Sequence, residues 1–137
     1  MTSSETADFA AILDLCGHYH DALHRSDAEL LGSLFHDNAL YAATTDGDIR
    51  FWTMDHYLPI VADRPSPASR GEPADGEVVS VTFAGRHAAL AQVRSSIGER
   101  FFTDFLSLVK IDGRWLIAAK VFDYVTRPRS TEDGLRR

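Results

Sequence analysis

Three groups of side chains in this sequence could do chemistry. Asp104 stands in the middle of "FFTDFLSLV", between Phe102 and Phe105, in a stretch that reads as a buried strand. A carboxyl there needs a charged partner, a proton or a purpose. Apolar neighbours such as Phe102, Leu106 and Phe122 would raise its pKa by desolvation, and a neutral acid can donate a hydrogen bond to a developing oxyanion. The competing reading pairs it with Lys120 or Arg100 as an ion pair. His20 and His24 form the second group, four residues apart and therefore on one face of a helix. Their ordinary pKa of ~6.5 suits proton transfer near neutrality. "HDALH" is also an HxxxH half-site, but no third zinc ligand is announced, so no metal and no cofactor is expected. The third group is Cys16, placed on an apolar helical stripe where an inert thiol is expected.

The elements that must position these groups follow from periodicity. Apolar residues recur at helical spacing from Phe9 through Leu23, which predicts a helix from Thr6 to Arg25 capped by Ser3, Ser4 or Thr6. "RSDAELLGSLFHD" predicts a second helix with Ser26 or Asp27 as its cap, and with His36 favoured at its C-terminal end. "NALYAATTDGDIRFW" reads as two strands around a tight Asp-Gly hairpin. "TMDHYLPIVADR" reads as a third helix capped by Thr53 and strained at Pro59. A loop rich in Pro and Gly spans 64–76. Four strands separated by "GR", "GE" and "DGR" turns complete the chain as an antiparallel meander. If Phe122 points inward then Lys120 does too, unless a bulge intervenes. Trp115 reads as a packing anchor.

Composition bounds the rest. The chain has 137 residues, 45% hydrophobic and 25% charged, with a formal charge of −6 and one cysteine. That fits one globular domain over 1–126 with a flexible polar tail at 127–137, in a reducing, cytoplasmic setting. The acidic balance argues against a nucleic-acid or membrane surface. No nucleophile elbow, phosphate loop or dinucleotide fingerprint occurs.

"YHDALHRSDAELLGSLFHDNALY" resembles the opening of the nuclear transport factor 2-like superfamily. "GRHAALAQV" and "FFTDFLSLVKIDGRWLIAAKVF" resemble its lumazine-binding branch, and the likeness runs over roughly 7–125. The resemblance implies an α+β fold. A bent, mainly antiparallel six-stranded sheet would form a cone-shaped barrel, closed by three N-terminal helices around a pocket. It also implies a homodimer through the outer face of the sheet. The ketosteroid isomerase branch carries an Asp at the point matched by Asp104, and a Tyr eight residues before the Asp that opens helix two, which is Tyr19. The resemblance therefore implies an oxyanion-binding pair, Tyr19 with Asp104. The isomerase base has no counterpart, because its position holds Ala43. The place of the catalytic aspartate of the scytalone dehydratase branch holds His24.

The expected function is cofactor-independent acid/base chemistry of isomerase, dehydratase or cyclase type on a small hydrophobic molecule. Tyr19 and Asp104 would polarise an oxygen, and His24 or His20 would move the proton. Tyr41, Trp52, His56, Phe102, Leu106, Lys120 and Phe122 are the expected ligand contacts. The alternative is a non-catalytic ligand-binding or dimerisation module of the same fold.

Overall fold

The structure is a computed structural model and describes residues 2–129. Helix α1 runs over Ser3–Arg25. Its cap is Thr2 rather than Ser3, Ser4 or Thr6, because Glu5 stands three residues on and completes a reciprocal capping box with it. Ser26, in the left-handed region with φ 52°, ends the helix. Asp27 caps α2 (Ala28–Leu34) by accepting from the Leu30 amide at 3.0 Å.

Helix α2 is shorter than its sequence pattern implies. Phe35 already has extended dihedrals and starts β1 (Phe35–Ala43). Its ring is buried and packs on Tyr57, and its backbone pairs with the last strand at Ile117. Burial of that ring outweighs continuing the helix. His36 and Asp37 therefore lie on a strand, and the helix-dipole argument for His36 does not apply; its Nδ1 accepts from the Asn38 amide instead.

Strand β1 pairs antiparallel with β2 (Arg50–Thr53). The connection is a single 3-10 turn at Thr45–Gly47 rather than a two-residue hairpin, with Asp46 and Gly47 both at positive φ. Helix α3 spans Met54–Asp63 and is entered through Thr53, whose side chain makes no capping bond. After the 64–76 loop come β3 (Glu77–Phe83), β4 (Ala88–Ile97), β5 (Arg100–Ile111) and β6 (Arg114–Thr126). The sheet order is β2-β1-β6-β5-β4-β3, antiparallel except where β1 runs parallel to β6. This is the α+β cone.

The core lies between the concave face and the helices. Helix α1 contributes Ile12, Leu15, Cys16, Tyr19, Ala22 and Leu23, an unbroken buried stripe. Each large side chain in such a stripe contributes about 1.5–3 kcal/mol on burial. Burial also pushes the Cys16 thiol up to about 11, which leaves it inert at neutral pH. Asp8 ties the start of α1 to the sheet, accepting from Lys110 Nζ at 2.9 Å and from the Trp115 indole at 3.1 Å. The first described residues after β6 also lie against the sheet: Arg129 donates to Gly98 O and Ser96 Oγ. The remainder of the expected tail, 130–137, lies outside the described residues. No helix among the described residues is long and apolar enough to cross a membrane.

Candidate active site

Tyr19 and Asp104, 85 residues apart in sequence, meet at the centre of the cone. The Tyr19 hydroxyl donates to Asp104 Oδ2 at 2.6 Å, and both groups are buried, Asp104 to 1% exposure. The sheet and helix periodicities produce this meeting. Tyr19 belongs to the inward stripe of α1, while Asp104, Leu106 and Leu108 are the inward alternates of β5. Burial and the neighbouring Asp104 charge hold the Tyr19 phenol well above its ordinary pKa, so it remains a proton donor. Its proton is committed to Asp104. The second carboxyl oxygen, Asp104 Oδ1, is buried and has no hydrogen-bond partner.

Lys120 reaches the same space from β6. Asp104 pairs in register with Phe122 and Leu106 with Lys120, so the four side chains share the concave face. A bulge makes this possible. The register passes from Ser107 opposite Ala119 to Leu108 opposite Ile117, leaving Ala118 as the extra residue. Trp115 and Ile117 before the bulge, and Lys120 and Phe122 after it, are all buried. The Lys120 ammonium donates to the Tyr57 hydroxyl at 3.2 Å and lies 5.1–5.5 Å from the ring centres of Phe122, Tyr19, Tyr57 and Tyr41. It makes no direct ion pair with Asp104. Burial works to strip its proton, but the Tyr57 oxygen, the Asp104 carboxylate and the Tyr41 oxygen outweigh that and hold its pKa above the usual lysine value. Lys120 is therefore an ammonium at neutral pH.

These groups face a cavity of about 50 Å³, whose wall includes Asp104, Lys120, Tyr41, Tyr57, Phe102 and Phe122. That is far below the roughly 300–1,000 Å³ of ligand pockets in general, so a ligand enters only as the wall opens. A wider groove of about 270 Å³ lies outside it and shares Leu23, Ser95 and Ile97 as a common partition. His20 and His24 line this outer groove, not the inner cavity. His20 packs edge-on against the Tyr19 ring at 5.4 Å. Burial lowers its pKa despite the nearby Asp104 and Asp75 charges, and its Nε2 is unpartnered. The chain passes so close over this ring that a Cβ on Gly76 would lie 2.2 Å from His20 Cγ, and only glycine fits there.

The other expected contacts sit further back. Trp52 stacks on Tyr41 at 4.9 Å with planes 10° apart, and His56 lies against Trp52 at 4.6 Å with planes 44° apart; neither lines the cavity. Leu106 is fully buried below it. Ala43 is buried opposite Arg50 and supplies no acid. No group of three or more His, Cys, Asp or Glu among the described residues is arranged to hold a metal ion. The sequence points to Tyr57 only as an aromatic at the entrance of the third helix and to Arg100 only as a possible partner of Asp104, and it does not single out Arg50 and Arg64, yet all four line the cavity. The 3.6-residue period of α3 carries a signal for Tyr57, since it shares an apolar face with Met54 and Val61. The arginines have none, because they come from a strand edge, a helix end and a hairpin.

The family model described as "Putative lumazine-binding" matches residues 7–123. A curated relative, "Aldolase FrzH" of Cladobotryum sp., is 25% identical over 122 residues, covering 89% of this chain and 93% of that protein. Among solved structures, an NTF-2 like protein of unknown function from Silicibacter pomeroyi superposes with a TM-score of 0.72 at 26% identity, covering 93% of this chain and 100% of the other. An ntf2-like protein from Shewanella baltica reaches a TM-score of 0.79 at 18% identity, over 93% and 99% of the two chains, which is likeness of fold.

Proposed function

Since the chain belongs to the lumazine-binding family of the nuclear transport factor 2-like superfamily, we propose that it is a cofactor-independent acid/base enzyme that enolises a small carbonyl compound inside the cone. The observation that carries this reading is the buried, unpartnered Asp104 Oδ1 in the same cavity as the Lys120–Tyr57 pair. Asp104 Oδ1 takes a proton from the carbon beside the carbonyl. The C–H electron pair becomes the C=C bond of the enolate, and the carbonyl π pair moves onto oxygen. The Tyr57 hydroxyl accepts from Lys120, which leaves its own proton to donate to that oxygen, with the ammonium behind it stabilising the charge. Tyr19 holds Asp104 through Oδ2 and fixes the direction of Oδ1. Reprotonation at another carbon gives an isomerase, loss of a β-leaving group a dehydratase, and capture of an internal carbonyl a cyclase.

FrzH is named an aldolase, and aldol addition starts with the same enolisation. A protonated Lys120 favours an enolate over an imine route, because imine formation needs the free amine. The histidines receive no role in this step, since they face the outer groove. The rival reading, a binding module without chemistry, makes a different prediction in one experiment. Methyl β-benzoylpropionate is incubated in heavy water, and exchange of its α-protons is followed by NMR. The wild-type protein should accelerate exchange and Asp104→Asn should abolish the acceleration; no acceleration by the wild type, for the ester at saturating concentration or for the free acid, rejects enolisation.

The outer face supports the expected homodimer. Phe105 and Val121 are register partners, each 45% exposed, and Phe51, 63% exposed, lies on the same sheet. Sedimentation should find a dimer at micromolar concentration and a monomer for Phe105→Glu. A monomeric wild type would exclude this interface.

A further inference from the structure

The wall of the inner cavity carries more positive charge than the proposed chemistry uses. Arg50, Arg64 and Arg100 line it together with Lys120, against a single carboxylate, Asp104. The chain as a whole has a formal charge of −6, so this concentration of cations runs against the average. The three guanidinium groups differ in how far the protein satisfies them. Arg50 is bound by Asp48 at 2.8 Å and lies 5.2 Å from the Trp52 ring centre. Arg100 lies 4.7 Å from the Tyr124 ring centre, and it makes no ion pair with a carboxylate among the described residues. Arg64 is the residue that ends α3, and its Nε is buried without a hydrogen-bond partner. A buried N–H of a charged group without an acceptor is costly, and such groups in native proteins are satisfied by an ion, water or ligand.

We propose that the substrate of the cone carries an anionic oxygen group, a carboxylate or a phosphate, which Arg64 and Arg100 bind at the cavity wall while the carbonyl end reaches Tyr57 and Lys120. A guanidinium presents paired N–H donors that match the two oxygens of either group. The arrangement also separates two tasks that one cation could not perform together. The arginines bind a charge present before and after reaction, whereas Lys120 and Tyr57 meet a charge that appears only at the enolate. This inference rests on the cavity assigned above as the active site and narrows the expected hydrophobic ligand to an amphiphilic one, an apolar body with one anionic end.

The test is a binding experiment independent of catalysis. β-Benzoylpropionate, its methyl ester and phenacyl phosphate are titrated into the full-length protein, with the arginine Nε–Hε NMR cross-peaks as the readout. Binding of either acid should shift the Arg64 cross-peak and weaken with added salt, and the neutral ester should bind about tenfold less tightly or worse. The stronger acid identifies which anion the wall prefers. Arg64→Gln with Arg100→Gln should weaken acid binding about tenfold or more while leaving ester binding and the circular dichroism spectrum unchanged. Arg64→Lys, which keeps the charge but not the paired donors, should fall between. Equal affinity for acids and ester, acid binding unaffected by the arginine substitutions, or no acid binding at millimolar concentration would each overturn the proposal. The exchange of α-protons in the methyl ester is a separate readout, so enolisation can stand or fall without it.

Discussion

Asp104→Leu should destabilise the protein by about 3–5 kcal/mol, the cost of leaving a buried charge without its counter-charge. The ground for this is what the substitution leaves behind. Lys120 is 5% exposed, and among the described residues its only hydrogen bond goes to a neutral hydroxyl and Asp104 is the one carboxylate on the wall of its cavity. Aromatic faces attract an ammonium but do not neutralise it. The Tyr19 hydroxyl would also lose its acceptor, in a place that water does not reach. Tyr19→Phe removes the hydrogen bond but no charge and should cost less, about 1.5–3 kcal/mol. Urea denaturation of both variants gives the order directly. A Tyr19→Phe loss equal to or larger than that of Asp104→Leu would mean that Lys120 does not depend on Asp104.

The contrast between what the sequence makes plain and what it hides follows from the same residues. The meander, the loop at 64–76 and the inward stripe of α1 are legible because each has a local cause: turn glycines, a change of period, or spacing of 3.6. The meeting of Tyr19 with Asp104 is visible only by resemblance, since nothing local relates positions 85 residues apart. The direction of Lys120 is a different case. Strict alternation from Trp115 would send it outward, and one unpaired residue, Ala118, turns it in. A bulge of this kind is a product of sheet curvature and leaves no mark in the residue types around it. The end of α2 was hidden for a similar reason. The pattern of "LLGSLFHD" continues as a helix, and only the burial of Phe35 against Tyr57 and its pairing with Ile117 explain why the chain extends there. Because Tyr19 donates to Oδ2, its proton is occupied by Asp104, and for that reason the mechanism proposed above assigns the oxyanion role to Tyr57 and Lys120 and the base role to Oδ1.

Lys120→Met separates the stability of this centre from its chemistry. The methionine stem matches the lysine in length and suits a space walled by Tyr19, Tyr41, Tyr57 and Phe122. Loss of the ammonium removes the charge behind the Tyr57 hydroxyl, and the rate of α-proton exchange should fall about hundred- to thousand-fold, as for deletion of one oxyanion donor. The single variant also strands Asp104 as a buried carboxylate, so stability should drop as well. Combining it with Asp104→Leu removes both charges, and an apolar replacement of a buried pair is commonly neutral or stabilising. The double variant should therefore be more stable than either single one while remaining inactive. The pH dependence has a fixed sign. The folded pKa of Lys120 lies above its ordinary value, so its stabilisation is fully present at neutral pH and is lost only as pH rises through that higher folded value. The stability difference between wild type and Lys120→Met should stay constant from neutral pH to about pH 10 and then shrink. A difference that instead rises from neutral pH toward about pH 10 would show that Lys120 is a neutral amine in the folded protein, and the enolate mechanism would have to give way to an imine.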